Sequence, residues 1–337
     1  AVRYFLLGAF AAAVWLFGAA LLYGATGSTR LVDIGQHIRS GAADLPLAAA
    51  AMALLVAGLA FKLAAVPLHT WAADAYQGAI TPVTLFMAVV VKSAAMLALL
   101  RLLLLAFGMD DARQGQGGWA SLLAGLSALS MVVGNLAALG QRNLKRMLAY
   151  SSIAHAGYLL LGAVAAAHGQ HQAVAAVLYY LAAYAFSSLL AFGGLMLLGS
   201  RGKEAVDLDD VRGAGRVHPL LALPLTLGAL SLLGFPPTAG FVGKYLVFVA
   251  AVQADAALWP LLGLGLLSSL VGAAYYLRVV MVLFSDPQSS DGRCLAQPMV
   301  ARGMYVALGV AVYALLHLGL LPASLLDWSL RAAQALG

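Results

Sequence analysis

Residues 220–250 read LLALPLTLGALSLLGFPPTAGFVGKYLVFVA, and this stretch decides what kind of molecule the chain is. It holds no Asp, Glu or Arg and a single Lys, Lys244. A bilayer core demands about 20 consecutive apolar residues, and this run exceeds that. Its middle is broken by Gly234–Gly240, which contains Pro236 and Pro237. A helix interrupted at membrane depth survives only where it borders protein or a watery cavity, because lipid cannot satisfy the freed backbone groups.

Outward from that stretch the same pattern recurs along the whole chain. Of 337 residues, 63% are hydrophobic and only 9% are charged. A soluble domain carries about 25% charged residues, so too few are present here to cover a water-facing surface. Apolar runs at roughly 4–24, 46–66, 82–107, 119–140, 147–167, 173–198, 220–250, 257–284 and 299–321 predict about nine membrane helices. The expected fold is an all-α polytopic membrane protein. Leu325–Ala335 is amphipathic and predicts a helix lying along the interface. Residue 1 is not Met and opens almost directly into a span, so the chain is expected to begin partway through a larger protein.

A net charge of +6 does not point to nucleic acid, since the basic residues sit at span ends and form no stripe. Arg142, Lys145 and Arg146 fall between two spans, and Lys203, Arg212 and Arg216 fall in the 200–219 loop. The loops at 168–172 and 251–256 hold no Lys or Arg. The positive-inside rule then puts the basic loops in the cytoplasm and the end of the chain on the opposite side. The lone cysteine, Cys294, excludes an internal disulfide or a thiolate metal cluster.

A second break occurs at Pro67, after which the span resumes through Leu68–Gly78. Each break lies beside a lysine: Lys62 precedes the first and Lys244 follows the second. Two interrupted helices in corresponding places point to an inverted repeat with a transport site between its halves. The plainer alternative is a pair of proline kinks that improve packing.

Three of the five lysines, Lys62, Lys92 and Lys244, lie inside spans. A charge at the centre of a membrane helix costs about 2.5–3.5 kcal/mol on insertion scales, so such residues persist for a reason. Arginine stays charged in proteins, whereas a desolvated lysine can release its proton near neutral pH. Lysine therefore suits a relay, although it can also tie helices together through backbone carbonyls. No carboxylate lies inside an uninterrupted span to pair with Lys92 or Lys244; Asp74 sits just past the Pro67 break. Among the histidines, His69 lies seven residues after Lys62 across the break, placed to pass a proton between lysine sites. His155 lies in a span among hydroxyls and reads equally as a packing residue. His317 reads as structural, and His37, His168, His171 and His218 as loop residues. No spacing resembles a metal site, a phosphate loop or a nucleophile elbow.

At four segments, RYFLLGAF (3–10), FKLAAVPLHTW (61–71), NLKRMLAYSSIAHAGY (143–158) and GFPPTAGFVGK (234–244), the chain resembles subunit N of the bacterial NADH-quinone oxidoreductase, respiratory complex I. The resemblance runs the length of the chain and covers helices six to fourteen of the family's fourteen. It implies an antiporter-like inverted-repeat fold: residues 1–118 the remainder of the first repeat, 119–284 the second, and 285–337 a last span and an amphipathic segment. It also implies that Lys62, His69, Lys92 and Lys244 form a hydrated proton path. NADH, FMN, iron–sulfur clusters and quinone would be handled by partner subunits, with no cofactor on this chain. Paralogous subunit M and the small subunit K are the expected neighbours, in a bacterial inner membrane with the C-terminus periplasmic. Arg3 stands where the family carries lysine and is expected to tune the field without relaying. The family's helix-five glutamate would precede residue 1. A subunit of a sodium/proton antiporter or membrane-bound hydrogenase, a scaffold subunit without conduction, and an independent secondary transporter are the competing readings.

Overall fold

The computed structural model describes residues 2–108, 118–168, 171–199, 204–287 and 302–335. Cys294 and Lys203 lie outside them. The helices are α1 (Val2–Thr26), α2 (Leu31–Arg39), α3 (Leu45–Leu63), α4 (Ala72–Gly78), α5 (Thr81–Phe107), α6 (Trp119–Leu139), α7 (Leu144–Ala166), α8 (His171–Leu198), α9 (Pro219–Leu233), α10 (Ala239–Ala254), α11 (Trp259–Leu283), α12 (Arg302–Leu320) and α13 (Ala323–Gln334). Eight of them are long and apolar enough to cross a membrane, and α9 with α10 form the broken ninth. The chain is thus an all-α multi-pass membrane protein, as the apolar runs require. The short amphipathic helix expected near the end is α13.

The helices are not equivalent. α7 is the least apolar of the eight long spans, yet 94% of its most apolar stretch is buried, against 17% for α1 and for α12. It is surrounded by α6, α8 and α10, with α4 against its first turns. A helix shielded from lipid on every side can carry polar residues, and Ser151, Ser152, His155 and Tyr158 all sit on it, buried. Lipid-facing positions are instead large and apolar: Phe10 is 70% exposed and Leu270 71%.

Small residues bring α6 and α7 together. A Cβ on Gly134 would lie 2.6 Å from the Ala154 nitrogen, and one on Gly157 would lie 2.8 Å from the Met131 nitrogen. Without a hydrophobic force between helices in lipid, such close backbone approach is what supplies the dispersion contact. The Ser127 hydroxyl adds a hydrogen bond to the Gly157 carbonyl at 2.7 Å.

Both interruptions leave orphan carbonyls at a helix end, and the structure satisfies them locally. α3 stops at Ala64, a left-handed residue at φ +57°, and Trp71 Nε1 donates to the Phe61 carbonyl at 3.1 Å. The Val66 amide donates to Ser130 Oγ at 2.9 Å. α9 stops at Gly234, where φ is +90° and only glycine is unstrained. The Leu230 carbonyl accepts from the Gly234 and Phe235 amides, and Gly240 N donates to Ser231 Oγ across the gap at 3.2 Å. The first break extends as irregular turns to Trp71, so the helix resumes only as the short α4.

At the charged end of the bundle one expectation is corrected. Lys145, read from the sequence as a loop charge, lies in the first turn of α7 with its side chain only 3% exposed. Its Nζ donates to Glu204 at 2.8 Å and to the Ala79 carbonyl at 2.6 Å. Segment 204–208 folds back onto the start of α7, with the Leu144 amide on the Val206 carbonyl, so the acids of the 200–219 loop reach this basic cluster. Arg278 closes the same end by donating to the Leu139 and Gln141 carbonyls at 2.9 and 2.7 Å.

Candidate functional site

The polar side chains of α7 face a line of groups from neighbouring helices. Lys92, on α5 and 1% exposed, donates to the Ser152 hydroxyl and carbonyl. It emerges from a π-helical turn at Met87–Val91, a local widening of the helix that is uncommon overall and frequent at functional sites. Its ammonium lies 5.7 Å from the centroid of the Tyr184 ring on α8.

Lys244 stands in the second turn of α10 and is 7% exposed. Its Nζ donates to the Leu233 carbonyl at 2.8 Å and to Ser269 Oγ at 3.2 Å. Leu233 is the last residue of α9, so the lysine caps the negative end of a half-helix dipole. The break therefore supplies a backbone carbonyl to the lysine, which among the described residues hydrogen-bonds no carboxylate. Lys244 also lies 5.1 Å from the centroid of the Tyr158 ring.

Between these two lysines sits His155, 2% exposed. Its Nδ1 is 2.6 Å from the Tyr180 hydroxyl and its Nε2 is 3.1 Å from the Tyr276 hydroxyl. Tyr276 in turn hydrogen-bonds Ser151, and the rings of Tyr158, Tyr180 and Tyr184 pack around the imidazole at 5.9, 5.9 and 5.1 Å. Beside this line, Asn135 takes the Tyr275 hydroxyl at 3.0 Å and donates to Tyr158 at 3.1 Å. Every hydroxyl in the group has a partner, as burial in low dielectric demands.

The structure thus brings Lys92, His155 and Lys244 onto one buried polar axis. It treats the others differently. Lys62 is partly exposed in the last turn of α3 and, among the described residues, its side chain makes no hydrogen bond or ion pair. His69 lies in the turns after Pro67 with Nδ1 buried and unbonded, and it contacts neither Lys62 nor Lys92 by hydrogen bond. Arg3 is exposed and pairs with Asp74 at 3.1 Å, and Asp74 also takes Arg146 at 2.8 Å. Pro67, Pro236 and Pro237 sit in the two breaks as expected, the Val66–Pro67 and Pro236–Pro237 bonds being cis. Among the described residues no group of three His, Cys, Asp or Glu converges to hold a metal.

What sequence reasoning missed is the tyrosine set on α8 and α11. The signal was present: Tyr179-Tyr180, Tyr184 and Tyr275-Tyr276 interrupt otherwise aliphatic spans. Nothing in the order of residues, however, says which of them face His155.

Comparison with known proteins follows the same line. A profile of the family described as NADH:quinone oxidoreductase/Mrp antiporter, TM, matches residues 1–272. The NADH-quinone oxidoreductase subunit N 1 of Sorangium cellulosum is 47% identical over 99% of the chain and 66% of its own length. Subunit N of Myxococcus xanthus is 41% identical, covering 99% of the chain and 68% of its own length. The chain therefore spans about two thirds of the length of these relatives. A chain of respiratory complex I from Thermus thermophilus with bound aureothin superposes with a TM-score of 0.79 at 43% identity, over 97% of this chain and 67% of that one. The chain belongs to the NADH:quinone oxidoreductase/Mrp antiporter transmembrane family, and within it to subunit N of NADH-quinone oxidoreductase.

Proposed function

We propose that this chain carries protons across the membrane as part of a proton-pumping NADH-quinone oxidoreductase, without bond chemistry of its own. One observation carries the reading: two lysines and a histidine share a buried axis whose other polar groups, among the described residues, are hydroxyls, an amide and backbone carbonyls. Lysines placed so can alternate between charged and neutral forms, and among the described residues neither lysine hydrogen-bonds a carboxylate that would pin it as ammonium. A scaffold would gain nothing from lysine at these depths that an apolar side chain would not supply at lower cost.

In this reading Lys92, His155 and Lys244 are the central relay. Lys62 and His69 lie on the Pro67 side of it, with Arg3 acting on the local field. Residues 1–118 and 119–284 are two inverted repeats, and 285–337 carries the last span and an amphipathic segment. The redox chemistry, with NADH, FMN, iron–sulfur clusters and quinone, belongs to partner subunits. Subunits M and K are the neighbours, the membrane is the bacterial inner membrane, and the C-terminus is periplasmic.

Lys92→Ala and Lys62→Ala in the assembled complex test it. Each is expected to cut NADH-driven proton pumping and coupled turnover while assembly persists. Normal pumping in reconstituted vesicles from both variants would defeat the reading. Loss of assembly with each substitution would favour a scaffold, and sodium-dependent exchange would favour an antiporter.

A further inference from the structure

His155 has an unusual pair of partners. Both ring nitrogens meet tyrosine hydroxyls, Tyr180 at Nδ1 and Tyr276 at Nε2, and neither meets a carboxylate or a backbone carbonyl. Histidines with a fixed tautomer hold it through an acceptor-only group on one nitrogen. A hydroxyl donates or accepts as required, so both neutral tautomers of His155 are satisfied equally well. The two partners continue in opposite directions. Tyr276 hydrogen-bonds Ser151, next in sequence to Ser152, which takes Lys92. Tyr180 packs directly on Gly243, the residue before Lys244, where a Cβ would come within 2.6 Å of its ring.

We propose that Ser151, Tyr276, His155 and Tyr180 form one hydrogen-bonded wire in which His155 hands protons on by exchanging its two neutral tautomers. The proposal rests on the reading of the chain as a proton carrier and names the groups that do the central transfer. Charge placement favours a neutral imidazole. Each lysine is one aromatic ring away, Lys92 across Tyr184 and Lys244 across Tyr158, so an imidazolium would face a cation on either side.

The step balances as follows for transfer toward Lys244. Tyr276 gives its hydroxyl proton to Nε2 and receives one from Ser151. Nδ1 gives its proton to the Tyr180 oxygen, and Tyr180 passes its own to a water on the Lys244 side. The Ser151 oxygen regains a proton from a water on the Lys92 side, so one proton enters, one leaves, and no charge stays on the ring. Rotation of the hydroxyls, followed by the reverse tautomer exchange, resets the wire.

Removing one hydroxyl while keeping the ring tests this. Tyr276→Phe and Tyr180→Phe, each in the assembled oxidoreductase in vesicles, are expected to cut NADH-driven proton pumping by roughly 10²-fold, the worth of one positioned transfer group. The double variant is expected to be no worse than either single one, because the groups act in series. Tyr179→Phe is the control: it removes a buried hydroxyl bonded to the Leu318 carbonyl at 2.6 Å, away from the axis, and is expected to keep pumping. Wild-type pumping in either single variant overturns the wire, as does equal loss in Tyr179→Phe. Normal pumping in both Lys92→Ala and Lys62→Ala overturns the carrier reading itself.

Discussion

Lys92 and Lys244 solve one problem with different materials. Lys92 leans on a serine hydroxyl and carbonyl of the neighbouring helix, whereas Lys244 uses the open carbonyl that the break in its own span exposes. Both are held by dipoles with no carboxylate among their hydrogen-bond partners, so no full negative charge pins the proton on either. Lys244→Arg keeps the cation and the cap but cannot release a proton, so it is expected to abolish pumping while the complex assembles; vesicle pumping assays check this. Glu204 behaves differently because it lies outside the spans. Partial burial works against its carboxylate, but the hydrogen bonds from Lys145 and Thr81 outweigh it and hold the group below the usual carboxylate range. Its contribution to stability is therefore present above the unfolded carboxylate value of about 4.3 and fades as pH falls through the lowered folded value. Thermal melts of the assembled complex across that acid range are expected to show this loss, and Glu204→Gln is expected to lack it.

At the level of helices, the two glycine-dependent features do separate jobs. Gly157 lets α6 lie against α7, and any side chain there meets the Met131 backbone, which cannot yield without parting the helices. Gly157→Val is expected to destabilise the bundle by about 1–3 kcal/mol or more and to reduce the amount of assembled subunit in the membrane, measured by immunoblot of the intact complex. Gly234 ends α9 in the left-handed region, and a Cβ there would sit 3.2 Å from Lys244 Cδ. Gly234→Ala is expected to cost about 1–2 kcal/mol for the backbone alone and, in addition, to displace Lys244 from the Leu233 carbonyl. Reduced pumping from a complex that still assembles is the expected result. Unchanged pumping would mean that the cap does not matter to conduction.

Across the whole molecule, polarity runs from the lipid inward in the reverse of the soluble order. Large apolar residues lie on the outside as well as in the core, and hydroxyls, imidazole and ammonium groups cluster around α7. This arrangement is expected to appear in labelling. In a background with Cys294→Ser, a cysteine at Leu270, 71% exposed, should react with a lipid-soluble maleimide, and one at Ile153, fully buried, should not. Reaction at both positions would contradict the placement of α7 at the centre.

The order of residues by itself determined that this is a multi-pass helical membrane protein with interruptions near Pro67 and Gly234 and with lysines inside its spans. Those are one-dimensional properties: run length against bilayer thickness, and charge against lipid. Its likeness to a known family, visible in four short segments, implied a proton path through Lys62, His69, Lys92 and Lys244. The tertiary structure alone decided that His155 lies between them and that Lys145 belongs to a buried pair. It also decided that tyrosines from α8 and α11 surround the imidazole, while Lys62 stands apart, half-buried and outside that hydrogen-bonded group. In an apolar span nearly every face has the same hydropathy, so periodicity cannot say which side meets protein. Only the packing of small residues such as Gly134, Gly157 and Gly243 sets which hydroxyls come within hydrogen-bonding distance of one another.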